Sequence, residues 1–470
     1  SRLKWPYLAF ATCNDMVDDD DDDVGDCAFQ ARTADGEELA IGVPDFLESD
    51  DEDDSSSACE EVSPLTMDEL RLTYATSLAK LAAVKRHNHR HRDLAALPRD
   101  AFAPPNYDLE SLPRVDATVV GCKDFASCFV AEGRPAMLLG TTIGWRAMER
   151  WSSREEFLHH YGCVLFGIAE ISPCHGMSKP LRVEVPLQLY MEQAEAVEAD
   201  FPFYVFERDL SGPRRPLLED FEVPRYFRDD LYDLTEYTRA FFPKYRYFIL
   251  GPERTGSNLH VDPSCTSAWN TLLCGLKRWV LFPPGDSDEY RKRIGAQPKS
   301  SCAGGMMSSG EIQPPAYWWL DVLPELRSSG ADRELGMIEC VQKPGETIYV
   351  PYGWWHAVLN IGFTAAITQN LVAPEALPSV WSQLDADWPD FAPRFARLLL
   401  KLRPELELPE SARTRAAELD AEELRAVREI EEQLETKDKL DHERVWELED
   451  RLTELRRAAD QEARERIGTF

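Results

Sequence analysis

The chain has 470 residues and a mass of 53.5 kDa, with 43% apolar and 29% charged residues, enough for one large core and up to three domains. No run approaches the roughly 18 apolar residues of a membrane span, and the apolar run in residues 1–10 is too short for a signal peptide. The net charge of −32 argues against direct nucleic-acid binding, which needs a basic face, and favours basic protein partners. Eleven Cys without a secretory signal are read as reduced thiols, which places the chain in the nucleus first and the cytoplasm second. The chain opens on Ser rather than Met, which leaves a preceding segment open.

Residues 1–64 read as an acidic disordered segment. Residues 1–61 hold 20 Asp and Glu against three basic residues, with unbroken acid from Asp18 to Asp23 and a second acidic, serine-rich run over residues 50–57. Such a segment has too little apolar surface to offset its ordering entropy. It would act as a solubilising tail or as a dock for basic proteins. A mixed, partly helical part follows over 65–199. Met67, Leu70, Tyr74, Leu78, Leu81 and Val84 keep helical spacing, with Asp68 and Glu69 where a helix start favours acids. The run from Lys85 to Arg92 fits a solvated loop or an import patch. Pro135 to Leu139 reads as a buried strand, Trp145 to Tyr161 and Leu187 to Ala194 as helix. Cys122, Cys128, Cys163, Cys174 and His175 have no zinc spacing.

Residues 200–385 are strand-rich. The runs Tyr245–Leu250, Lys277–Phe282 and Glu346–Val350 are aromatic and β-branched, and each ends in Gly or Pro. This pattern predicts a mainly β fold with helical additions, a jelly roll or cupin. Residues 285–336 read as an irregular, loop-rich insert. The C-terminal 386–470 reads as an acidic helical region, with Leu424, Val427, Leu434, Val445, Leu448, Leu452, Leu455 and Ala459 on one heptad seam that Glu431, Asp438 and Asp441 interrupt. A helical hairpin, a homo-oligomer or a helix packed on its own domain all fit that seam.

The chemical signal lies within the strand-rich part. His260-Val261-Asp262 places an imidazole and a carboxylate two residues apart, on one face if the segment is a strand. The run Pro344 to Val350 leads through a turn and a strand to Gly353-Trp354-Trp355-His356. Gly353 suits the backbone turn before His356. His260, Asp262 and His356 make the two-His, one-carboxylate set of non-haem iron oxygenases, catalytic residues and metal ligands at once. A 2-oxo acid cosubstrate needs a cation for its far carboxylate. Lys277 supplies it, brought beside Asn270 by an expected hairpin turn at Cys274-Gly275. Thr368 adds a hydroxyl from across an expected turn at 361–363, and Asn270 a donor near the metal. Trp269, Trp279, Trp354 and Trp355 read as barrel packing.

On these motifs, residues 245–372 resemble the jumonji-C family of Fe(II)- and 2-oxoglutarate-dependent oxygenases. The carriers are Gly251-Pro252 through His260-Val261-Asp262-Pro263, Thr266 to Asn270, Gly275 to Trp279, Pro344 to His356 and Ala366 to Asn370. The nearest subfamily is the bifunctional arginine demethylase and lysyl hydroxylase group. Weaker similarity runs back to about Leu112. The resemblance implies a double-stranded β-helix with iron, 2-oxoglutarate and O2 as cofactor and cosubstrates. It implies that Tyr204 matches the family's cosubstrate-binding Tyr, and that Ser257 stands where relatives carry Thr. It implies hydroxylation of Lys, or demethylation of methyl-Arg or methyl-Lys, on a Lys- or Arg-rich protein. A tRNA or small-molecule oxygenase and a non-catalytic cupin binding module are the alternatives. A serine-rich basic tail of relatives is absent here.

Overall fold

In a computed structural model of the chain, the residues described are 31–32, 38–39 and 66–417, apart from 80–96, 98, 105, 107–111, 172–180, 197–201, 209, 211, 234–244, 297–313 and 390. The acidic runs, the basic run at 85–92, the pair Cys174-His175 and the heptad seam at 424–459 lie outside them. The chain separates into a unit over Ser1–Ser63 and one over Pro64–Phe470. In the first, Ala31–Arg32 (β1) pairs antiparallel with Glu38–Leu39 (β2).

The second unit is built on a nine-stranded sheet. Its strands are Arg114–Asp116 (β3), Ala136–Leu139 (β4), Val205–Glu207 (β7), Arg246–Gly251 (β8), Gly256–His260 (β9), Ser267–Phe282 (β10), Ile338–Gln342 (β11), Thr347–Val350 (β12) and Trp355–Leu371 (β13). Leu165–Ile171 (β5) and Leu181–Pro186 (β6) form a separate antiparallel pair. The main order is β3-β4-β12-β10-β13-β8-β7, with β11 added to β10 and β9 to β13.

Two long strands organise this sheet. β10 and β13 pair antiparallel from Ser267↔Leu371 to Phe282↔Trp355, with register shifts between Leu272 and Leu276. The expected hairpins at Cys274-Gly275 and 361–363 are therefore absent: both strands run on. Gly275 takes φ 79°, and a Cβ there would meet the Phe363 carbonyl, so only glycine fits. The first half of β10 is flanked by β12 and the second by β11; the second half of β13 is flanked by β8 and the first by β9. The result is a mainly β jelly roll whose two half-sheets share one bent strand pair.

Apolar alternation covers both sides. Trp269, Phe248, Leu250, Ile367 and Tyr349 pack outward against the N-terminal elements, where Trp151, Phe157 and Tyr190 are fully buried. The helix Met67–Thr73 begins on a capping box between Thr66 and Glu69, and Leu187–Ala196 is helical as the spacing predicts. The insert after β10 is not the loop the sequence suggests. Its described residues form Asp288–Arg293, Pro315–Tyr317, Trp318–Val322, Leu323–Ser329 and Ala331–Glu334. These short helices carry Trp318, Trp319, Leu323 and Leu326 onto Val280, Phe282, Ala357 and Leu359. Each is too short to show a helical period in sequence, and packing on the sheet stabilises them. Leu377–Asp387, Ala392–Leu402 and Glu410–Ala417 form a second helical layer around Trp381, Phe391 and Phe395, closed by Tyr232 and Val372.

Candidate metal centre

His260 ends β9 and His356 is the second residue of β13, and the two are directly paired across the strands. Gly353, at φ 72°, makes the turn that admits Trp354 and Trp355 before His356. Each imidazole turns its Nδ1 to a backbone carbonyl two residues back, His260 to Asn258 at 2.7 Å and His356 to Trp354 at 3.2 Å. Those carbonyls accept, so Nδ1 donates in both rings and Nε2 is the atom turned toward Asp262. The free Nε2 atoms lie 3.8 and 3.9 Å from the two Asp262 carboxylate oxygens. One ligand atom from each of the three residues falls within 4.8 Å of the others, the one such cluster among the described residues. Asp262 Oδ2 is buried with no hydrogen-bond partner among the described residues. Burial, then the neighbouring His260, lowers the His356 pKa to about 4, so that ring stays neutral. The neutral His356 nitrogen, the neighbouring His260 ring and a carboxylate together make a donor set that suits a divalent iron.

Lys277 stands 1% exposed on β10, opposite Asn360 of β13. Its Nζ donates to Asn360 Oδ1 at 2.7 Å and to the Tyr204 hydroxyl at 3.5 Å. Burial alone pulls its pKa from 10.5 to about 7; no charged neighbour contributes. A buried ammonium with only neutral partners is the complement of an anionic ligand. The register shifts at Leu272–Leu276 reverse side-chain parity on β10, so Asn270 and Lys277 face one interior despite their odd spacing. Asn270 pairs with Thr368, and its Oδ1 is buried without a partner among the described residues. The Thr368 hydroxyl donates to the Trp269 carbonyl at 2.8 Å, which leaves its lone pairs rather than its proton for a ligand. Ser257 pairs with Val358, one register shift away from the His260–His356 pair. The structure thus brings His260, Asp262 and His356 together, joins Lys277 to Tyr204, and sets Asn270 opposite Thr368 on the same β10–β13 pair.

Sequence reasoning overlooked several neighbours. Asn360 shares the parity of His356 and Thr368 on β13, a signal that was available; its Nδ2 donates to Thr255 Oγ1 at 2.8 Å. Phe206 and Tyr247 continue the Tyr204 surface, with ring centroids 6.4 Å (Tyr204 to Phe206) and 4.7 Å (Phe206 to Tyr247) apart. Burial, then the Asp262 charge, raises the Tyr247 pKa to about 12, so its hydroxyl keeps its proton. Of the four Trp assigned to packing, Trp279 comes within 6.0 Å of the His356 ring and is tied to Gln342 Oε1 at 2.9 Å.

The profile of the family described as JmjC domain, hydroxylase matches residues 247–371. The chain is 33% identical over 309 residues to the bifunctional arginine demethylase and lysyl-hydroxylase psr-1 of Caenorhabditis briggsae, covering 65% of this chain and 73% of that one. It is 38% identical over 244 residues to a lysine-specific demethylase of Arabidopsis thaliana, covering 52% and 23%. It is 28% identical over 277 residues to a human 2-oxoglutarate and iron-dependent oxygenase, covering 56% and 62%.

Proposed function

Because the chain belongs to the JmjC hydroxylase family and is an Fe(II)- and 2-oxoglutarate-dependent oxygenase, we propose that it oxidises Lys or methylated Arg and Lys side chains of a basic protein. The observation that carries this reading is the His260–Asp262–His356 cluster on the strand pair that also carries the buried Lys277, whose ammonium has only neutral partners among the described residues.

In this reading His260, Asp262 and His356 hold the iron. When bound, iron with 2-oxoglutarate supplies O2 activation coupled to oxidative decarboxylation of the 2-oxo acid. Lys277 receives the far carboxylate, with Tyr204 and Asn360 orienting its ammonium. Asn270, Thr368 and Ser257 line the path between anchor and metal. Tyr247, which feels the Asp262 charge, and Phe206 against it offer aromatic faces, and such faces attract an alkylammonium or guanidinium. The net charge of −32 favours a Lys- or Arg-rich partner. We keep the division into an acidic segment (1–64), a mixed part (65–199), the catalytic jelly roll (200–385) and a helical region (386–470), and a nuclear or cytoplasmic placement. Homo-oligomerisation through the C-terminal helices belongs to the same proposal.

Turnover of Lys- and Arg-rich peptides, methylated and unmethylated, tests the reading through succinate formation and product mass. Gain of one oxygen marks hydroxylation, and loss of CH2 marks demethylation. Succinate that no such peptide stimulates would contradict the proposed substrate class.

A further inference from the structure

Two of the three cluster residues sit on paired strands; Asp262 does not. It precedes a tight turn, and the aim of its carboxylate depends on how that turn is held. The turn contains two consecutive non-glycine residues in the left-handed region, Ser264 at φ 55° and Cys265 at φ 55°. Residues with a Cβ avoid that region and persist there when their surroundings fix them. Local backbone bonds, Cys265 N to Asp262 O at 3.0 Å and Thr266 N to Pro263 O at 3.1 Å, close the turn but do not anchor it to the rest of the fold. Asn370 Nδ2, donating to Thr266 Oγ1 at 3.0 Å, ties its far end to β13.

The centre of the turn is held from elsewhere. Ser264 is buried, and its backbone N–H and its hydroxyl both donate to Asp387 Oδ2, at 3.0 and 3.1 Å. Asp387 is the last residue of the helix Leu377–Asp387. Its other oxygen accepts from Gln383 Nε2 of the same helix at 2.6 Å, which fixes the carboxylate in the orientation Ser264 needs. Asp387 is not a member of the metal-ligand cluster. It therefore has a geometric role without a ligand's role.

We propose that Asp387 is a positioning residue for the metal centre. Through Ser264 it clamps the left-handed turn that aims Asp262, which makes the helix Leu377–Asp387 part of the site although none of its atoms is a ligand. This rests on the reading of Asp262 as an iron ligand. The clamp acts in two ways: it satisfies two buried donors of Ser264, and it compensates a backbone conformation that a non-glycine residue does not favour.

The test is anaerobic Fe(II) titration of the full chain, with the absorption band formed on adding 2-oxoglutarate as a second readout. Asp387→Ala should weaken Fe(II) binding by about 10- to 100-fold, the range for losing an outer-shell partner, and should shift the band. Asp387→Asn should bind close to the parent, because an amide oxygen can accept both Ser264 donors. Ser264→Gly placed in the Asp387→Ala chain should recover much of the affinity, since glycine takes φ 55° without help. A merely structural role would lower the thermal midpoint of Asp387→Ala without that rescue of iron binding. If Asp387→Ala binds iron like the parent while Asp262→Ala does not, the clamp is wrong and the ligand reading stands. If Asp262→Ala also binds like the parent, the ligand reading falls and takes the clamp with it.

Discussion

Among the described residues, Lys277 is a buried cation with only neutral partners. Its lowered pKa sets two pH dependences. In the unfolded chain the ammonium titrates near its ordinary 10.5; in the folded, ligand-free chain it titrates near 7. Between those values the unfolded state holds the extra proton, so ligand-free stability rises with pH across that window and is lost as pH falls through about 7. An anion bound at Nζ raises the Lys277 pKa again. Binding of 2-oxoglutarate should then take up a proton above pH 7, and its dissociation constant should be flat below about 7 and climb up to about tenfold per unit above it. Calorimetry in two buffers of different ionisation enthalpy reads the uptake directly; equal heats at pH 8 would contradict it. Lys277→Ala should raise the dissociation constant by roughly 30-fold or more, since truncating one partner of a desolvated charge pair costs about 2–5 kcal/mol. Iron affinity should change little, because Lys277 is no ligand. Lys277→Arg should rescue in part at best, since a planar fork does not replace a compact ammonium.

At the scale of elements, the bent β10–β13 pair places the site. The glycine at 275 lets the Phe363 carbonyl approach, and the adjoining register shift puts Asn270 and Lys277 on the same face. Gly275→Ala would combine a left-handed φ with a backbone clash and should destabilise the fold by about 1–3 kcal/mol. Denaturant unfolding measures this, and an unchanged midpoint would show that the bend tolerates a side chain. The same bend shows what the sequence could and could not reveal. Strand cores such as Phe248 to Leu250 and Thr347 to Val350 carry β-branched and aromatic patterns that read correctly. Cys274-Gly275 carries turn chemistry, and a bulge within one strand uses the same residues as a hairpin between two. Local composition does not separate them; only pairing across β13 does. His260, Asp262 and His356 were legible because their spacing lies within two short segments. Asn360 and Asp387 were not singled out, because Asn360 matters only opposite Lys277 and Asp387 only beside Ser264, 123 residues earlier in the chain.

Across the whole molecule, charge is the dominant long-range feature. Residues 1–61 carry 20 acidic and three basic residues, about half of the net −32. Their removal should weaken capture of Lys- and Arg-rich peptides at low ionic strength. The difference should fade as salt shortens the screening length toward about 3 Å near 1 M. Peptide affinity measured across a salt series checks this, and a loss independent of salt would argue for a specific contact instead. Catalysis itself should not need that charge, because the cluster and the anion anchor lie within 204–368. The most direct test of the account is iron loading of the full chain without oxygen, followed by addition of 2-oxoglutarate. The parent should bind one equivalent of Fe(II) and develop a metal-to-ligand absorption band. His260→Ala and Asp262→Ala should lose both iron and band with the fold retained, because the jelly-roll core and not the metal holds these strands together. Near-stoichiometric iron in both variants would contradict the account.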